Sequence, residues 1–83
     1  MTLSDAMKRR ILELCDCEDE GRGITINKLC TISGVTQSTL SEFYNEDNRV
    51  LKVQTILQLC NGLGIKLKDF FDSELFIDLD EEN

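Results

Sequence analysis

Four cysteines, Cys15, Cys17, Cys30 and Cys60, are the side chains of this chain best equipped for metal, redox or nucleophilic chemistry. Their spacing and company argue against all three. There is no C-x-x-C pair and no histidine, so neither a zinc site nor a thiol activated by an imidazole base is expected. Cys15, Cys30 and Cys60 fall within helical apolar patterns, where cysteine acts as a small buried hydrophobe. Cys17 stands among acids, which hold a thiol protonated and unreactive. Free thiols suit a reducing cytoplasm. The carboxylates form no pair that stands apart from solvated charge runs, and no Gly-rich phosphate loop of the right spacing occurs. No enzyme, metal site or cofactor is therefore expected, and no small-molecule substrate is evident. What the chain does concentrate is hydrogen-bonding capacity, in Thr36-Gln37-Ser38-Thr39-Leu40-Ser41-Glu42.

The elements that must present this run are legible around it. Residues 24–45 read as two short helices joined at Ser33-Gly34-Val35. Each opens with the same device: Ile24-Thr25 with Leu29 four positions on, then Val35-Thr36 with Leu40. The threonine caps the helix while the flanking apolar pair staples its start. Two stapled helices around a Gly-bearing turn form a helix-turn-helix, whose second helix enters the DNA major groove.

Periodicity places three more helices. The first runs from about Leu3 to Cys15 or Cys17, with Leu3, Met7, Ile11 and Leu14 as its apolar stripe, widened by Leu12 and Cys15. Lys8, Arg9 and Arg10 lie around it. Asp16 to Gly23 reads as a polar loop. Helix two, about Ile26 to Ile32, turns Leu29, Cys30 and Ile32 inward. Helix three, about Gln37 to Tyr44, turns in Leu40 and Phe43. After a loop from Asn45 to Leu51, helix four covers about Val53 to Leu63. Its expected buried side is Val53, Ile56, Leu57, Cys60 and Leu63, and Gly64 supplies a left-handed C-cap. Leu67, Phe70 and Phe71 suggest a short fifth helix. The expected fold is all-α, a compact bundle of five short helices. The expected division is a DNA-binding domain over 1–71 and an acidic C-terminal extension over 72–83. Leu75, Phe76, Ile77 and Leu79 are too apolar for a pure tail and should pack on the domain or on a second subunit. Asp80 to Asn83 is expected to be disordered.

Charge is the difficulty. The 83 residues carry a net −7, and DNA repels acid. The acids are not evenly spread. Asp72, Glu74, Asp78, Asp80, Glu81 and Glu82 lie in the last twelve residues, which contain no base. Residues 1–71 therefore hold ten acids against nine bases, and residues 24–71 hold four against five. A second cluster is Asp16, Glu18, Asp19 and Glu20. The expected reading unit is close to neutral. Hydrophobic residues make up 41% of the chain, enough for a folded core. No apolar run approaches the roughly 20 residues of a membrane span.

With five helices and the segment Ser33-Gly34-Val35-Thr36-Gln37-Ser38-Thr39-Leu40-Ser41 in place, the chain resembles the lambda-repressor-like family. These are helix-turn-helix regulators of the Cro and xenobiotic-response-element type, common in phages and bacteria. The resemblance covers about residues 6–71 and includes Leu29-Cys30, Gly34-Val35, Thr55-Ile56-Leu57 and Gly62-Leu63-Gly64-Ile65 with Asp69-Phe70-Phe71. It implies that the start of helix three reads bases. The matching positions are Gln37, Ser38, Ser41 and Glu42. Gln37 suits adenine, while Ser38 and Ser41 discriminate little. Thr36 and Thr39 would serve phosphates, with Lys28, Asn45, Arg49 and Lys52 as flanking phosphate contacts. Several positions depart from the family's habit. Ile26 stands where glutamine often touches phosphate. Glu46 and Asp47 stand where glycine and a base are common, and Lys52 and Lys66 replace capping hydroxyls. Glu42 replaces arginine or glutamine; in a groove its carboxylate can accept from cytosine N4.

Two functions fit these residues. The leading expectation is a sequence-specific regulator of transcription, a repressor, that binds double-stranded DNA as a homodimer in the cytoplasm. The alternative is an acidic protein-interaction module on the same fold, antitoxin-like or an anti-repressor partner, with little DNA binding. Neither involves a membrane.

Overall fold

A computed structural model describes residues 1–17 and 22–80. It does not describe the side chains of residues 16, 17 and 22. The Cys17 thiol and the carboxylates of Asp16, Glu18, Asp19 and Glu20 therefore lie outside the described part of the molecule. So do residues 81–83, most of the stretch expected to be disordered.

Five helices appear where the periodicity places them. They are α1 (Leu3–Cys15), α2 (Ile26–Ser33), α3 (Gln37–Asn45), α4 (Val53–Leu63) and α5 (Leu67–Phe71). The stretch from Asp16 to Gly23 differs from a plain loop. Its ends form a minimal antiparallel pair, β1 (Asp16–Cys17) with β2 (Arg22–Gly23), in the register Asp16 to Gly23 and Cys17 to Arg22. Two residues per strand leave no hydrophobic alternation to read, and the fold remains all-α.

Several helix boundaries have a chemical cause. Thr25 accepts the Lys28 amide at 3.1 Å and starts α2. Gly34, at φ 78°, ends it and donates its N–H to the Cys30 carbonyl. Ser33 tightens the same turn, donating its hydroxyl to the Leu29 carbonyl at 2.6 Å and accepting from the Val35 amide at 3.3 Å. Thr36 then caps α3. Gly64 caps α4 at φ 73°, and the Ile65 amide reaches back to the Cys60 carbonyl at 3.0 Å. Left-handed backbone at both glycines is the conformation that a Cβ penalises. In α5 the Asp69 carboxylate accepts the Lys66 N–H at 3.0 Å, supplying half of a capping box that lacks its hydroxyl.

The core is centred on Leu29, Leu40, Phe43, Ile56, Leu59, Cys60 and Phe70, all essentially inaccessible. Burying a side chain of this size contributes about 1.5–3 kcal/mol. Several expected core positions are corrected. Leu3, Leu12, Ile32, Val53, Leu57 and Phe71 are exposed, while Val35, Leu51 and Leu59 are buried. In α4 the buried seam is Ile56, Leu59 and Cys60, at the i, i+3, i+4 spacing. Leu57 lies one residue, about 100° of arc, away from Ile56. The apolar stripe in the sequence is wider than the seam that packing uses.

Two helices meet at backbone distance at Gly62. A Cβ there would lie 2.7 Å from the Ser33 Cα and 2.9 Å from the Ile32 carbonyl oxygen. The end of α4 thus rests directly on the backbone that ends α2. Elsewhere in the bundle, Arg10 donates from Nε to the Phe70 carbonyl and from Nη2 to the Asp69 carbonyl, both at 2.8 Å. One guanidinium therefore ties α1 to the C-terminal carbonyls of α5, where positive charge is favoured.

The segment after α5 folds back. Ser73 caps a 3₁₀ turn at Glu74–Phe76. The Phe76 ring meets Phe71 at 5.1 Å and Phe70 at 5.9 Å. Leu75, Phe76 and Leu79 are half-buried, whereas Ile77 is 79% exposed. The Met1 ammonium pairs with the Asp80 carboxylate at 2.8 Å, and the Asp80 amide donates to the Met1 carbonyl at 2.8 Å.

Substituting Gly62→Ala forces a methyl group onto immovable backbone, and overpacking of this kind costs about 1–3 kcal/mol. The urea midpoint should fall accordingly. An unchanged midpoint would show that α2 and α4 do not meet this closely.

Candidate nucleic-acid interface

The hydrogen-bonding run singled out in the sequence occupies one exposed helix. Thr36 accepts the Thr39 amide at 3.2 Å, and the two hydroxyls lie 2.8 Å apart. Leu40 and Phe43 point inward, with Val35 buried before the cap. Thr36, Gln37, Ser38, Thr39, Ser41, Glu42 and Asn45 are all exposed. At about 100° per residue, Ser38, Ser41 and Asn45 hold the middle of the outward arc. Gln37 lies to one side and Glu42 to the other, about 140° apart.

Both flanks are held by neighbouring elements. Gln37 donates from Nε2 to the Asn27 side-chain oxygen at 3.0 Å. This amide pair joins the first residue of α3 to α2 and leaves the Gln37 oxygen free to accept. Among the described residues, Asn27 is a site neighbour that sequence reasoning missed. Its only signal was an exposed amide beside Lys28 at the start of α2. In the middle, Asn45 donates to the Ser41 hydroxyl at 3.2 Å.

The other flank is electrostatic. Arg49 donates from Nη2 to a Glu42 carboxylate oxygen at 3.3 Å, and from Nη1 to Glu46. The three charges sum to −1, and Asp47 adds another acid beside them. The phosphate role expected of Arg49 competes with these two carboxylates. Lys28 and Lys52 are exposed and have no ion pair among the described residues. Lys52 precedes α4 without capping it by its side chain. A cleft of about 290 Å³ lies between α3 and this loop, lined by Thr39, Glu42, Arg49, Lys52 and Thr55 among others.

The loop from Glu46 to Arg49 is pinned from behind by α1. The buried Ser4 hydroxyl donates to the Arg49 carbonyl at 2.5 Å. Lys8 donates from Nζ to the Glu46 carbonyl at 3.0 Å and sits 5.5 Å from the centre of the Phe43 ring. The Tyr44 hydroxyl donates to the Lys8 carbonyl at 3.2 Å. Asn48 makes the turn at φ 61°, a left-handed conformation that asparagine tolerates better than most residues.

Cys15, Cys30 and Cys60 are buried, as the apolar patterning implies. Burial pushes the Cys30 and Cys60 thiols up, with Asp69 adding to the effect at Cys60. Burial likewise pushes the Tyr44 phenol well above its ordinary range.

The sequence model of a family described as the Cro/C1-type HTH DNA-binding domain matches residues 20–74. Among solved structures, the crystal structure of the prophage Lp1 protein 11 superposes with a TM-score of 0.76 at 27% identity. The alignment covers 94% of this chain and 97% of that one. A comparison with curated proteins finds no match. No described helix is long and apolar enough to cross a membrane.

Two outcomes test the site's scaffold. Thr36→Ala removes a cap and should cost about 1 kcal/mol, seen as a lower thermal midpoint, while Thr36→Ser should restore most of it. Loss of equal size in both variants would contradict a capping role. The fold holds Cys30, Cys60 and Tyr44 in their neutral forms, whereas the unfolded chain ionises them from about pH 8.5 for thiols and pH 10 for the phenol. Their contribution is complete below those values and is lost as pH rises. The urea midpoint should fall between about pH 8 and 10.5, less steeply in Cys60→Ala. A midpoint rising over that interval would contradict the assignment.

Proposed function

The chain belongs to the family of Cro/C1-type helix-turn-helix DNA-binding domains, and on that premise we propose that it is a sequence-specific repressor of transcription. It acts as a homodimer that lays α3 in the major groove. The single observation that carries this reading is the exposed polar face of α3, with Gln37 fixed by Asn27 at 3.0 Å. A side chain held before the partner arrives loses less entropy on binding. The free Gln37 oxygen and the remaining amide proton suit the N6 and N7 edge of adenine. Ser38 and Ser41 contribute contacts of low selectivity.

Phosphate contacts fall to Lys28 on the α2 side, to Lys52 on the loop side and to Asn45 at the end of α3, with Thr36 and Thr39 at its start. The N-terminus of α4 supports Lys52. Its first amides have no side-chain cap, and helix N-termini attract phosphate oxygens. Two reading helices separated by about one DNA turn, roughly 34 Å, match a palindromic site. Dimerisation is what makes so few base contacts sufficient. The chain acts in the cytoplasm of a bacterium, as a chromosomal or phage-encoded regulator.

One observation favours a second reading. Arg49 is engaged by Glu42 and Glu46, and Asp47 has no ion pair among the described residues. That acidic face suits a basic protein partner instead of DNA.

Fluorescence polarisation against a library of palindromes separates the two. The repressor reading predicts saturable binding that weakens with salt, each phosphate contact adding about 0.9 to the log–log slope. Asp47→Lys should tighten binding, most strongly at low salt. No saturable binding to any palindrome, in either form, would overturn DNA binding in favour of the protein-partner reading.

A further inference from the structure

We propose that Glu42 is a specificity-determining residue that selects a cytosine in each half-site, and that Arg49 is its positioning residue and makes no phosphate contact. The inference rests on the DNA-binding reading and refines the same face. A free carboxylate beside a phosphate backbone is a liability, because the field of the DNA repels it. Glu42 is not free. Arg49 donates to one of its oxygens at 3.3 Å, which offsets part of its charge and leaves the second oxygen as an acceptor. Cytosine offers its N4 donor with no ring acceptor beside it, whereas adenine sets the N7 acceptor next to its N6 donor, where it repels the second carboxylate oxygen. Guanine and thymine present oxygens there, and these repel a carboxylate.

The position of Arg49 is fixed independently of Glu42. Its carbonyl accepts the hydroxyl of Ser4, a residue only 2% exposed, at 2.5 Å. Its other guanidinium nitrogen is held by Glu46. The Glu46 carbonyl is in turn fixed by Lys8 at 3.0 Å. Asn48 at φ 61° turns the chain so that Arg49 returns to α3. A guanidinium anchored at its backbone and at one nitrogen is a fixed point against which Glu42 is oriented. The same anchoring keeps it from swinging out to a phosphate. Residues 37 and 42 are separated by about 7.5 Å along the helix axis. At about 3.4 Å per base pair, that predicts adenine and cytosine preferences roughly two base pairs apart.

The test is selection from a randomised DNA pool by the whole chain, by Glu42→Gln, by Arg49→Met and by the double variant. Circular dichroism confirms that each is folded. The expected result is one cytosine column per half-site in the wild-type pool, favoured about fivefold or more over other bases. Glu42→Gln should lose that column while keeping the adenine column. Arg49→Met should weaken the cytosine column, and adding it to Glu42→Gln should change base preference no further. Two outcomes overturn the proposal while leaving DNA binding intact. One is a cytosine column that survives Glu42→Gln, or is absent from the wild-type pool. The other is an Arg49→Met variant that keeps the column but loses about 0.9 from its salt slope, which would make Arg49 a phosphate contact. A wild-type chain that enriches no DNA at all would fell the DNA-binding reading itself, and this proposal with it.

Discussion

The contact between Gly62 and the backbone of Ser33 is the constraint on which the rest of the molecule depends. It presses the last turn of α4 onto the last turn of α2, with no room for a methyl group. The end of α2 is therefore a fixed point. From it the chain has three residues, Ser33, Gly34 and Val35, in which to turn and start α3. Gly34 supplies the left-handed backbone, the Ser33 hydroxyl closes the turn on both sides, and Thr36 opens the next helix. Val35 and Leu40 bury the inner side of α3, which decides which residues face out. The position of the hydrogen-bonding run in space follows from a glycine that belongs to a different helix.

A second layer acts on the outer face. The turn orients α3, but neighbours decide what its side chains can do. On the α2 side an amide is matched to an amide, Gln37 to Asn27. On the loop side a base is shared between two acids. Both arrangements replace the search among rotamers with a held geometry, and both are supported by α1 or α2 from behind. The net −7 of the chain is a poor guide to this face. Six acids lie in the last twelve residues, and Asp80 is already paired with the Met1 ammonium. The acids that matter to α3 are Glu42, Glu46 and Asp47, and two of them are occupied by Arg49.

The helices, the caps and the turn were legible in the sequence because each is a local event. Thr25, Gly34, Thr36 and Gly64 act on backbone within a few residues, so spacing alone identifies them. The inner face was only partly legible. Val53 and Leu57 match the helical period of α4, yet Leu59 is the residue that is buried. A stripe of apolar residues says that a helix has a buried side, while the neighbouring helices decide where its edges fall. The site's second layer was not legible at all. Asn27 and Gln37 are ten residues apart, and Ser4 and Arg49 are forty-five apart. Nothing in either segment announces its partner. The back-folding of residues 73–80 lay between these cases. Leu75, Phe76 and Leu79 signalled that the segment would pack, but the sequence did not say against what. The 3₁₀ turn lies against α1, and its Phe76 ring meets the Phe70–Phe71 pair.

On the proposed reading, α3, presented by the Gly34 turn, is the surface that meets DNA. Amide resonances followed by NMR during titration with a selected palindrome test it most directly. The largest shifts should cluster at residues 36–45, with a second group at 28 and 49–54, while the amides of residues 73–80 hold still. Shifts concentrated on residues 73–80 or on the outer face of α1, with α3 unchanged, would contradict it.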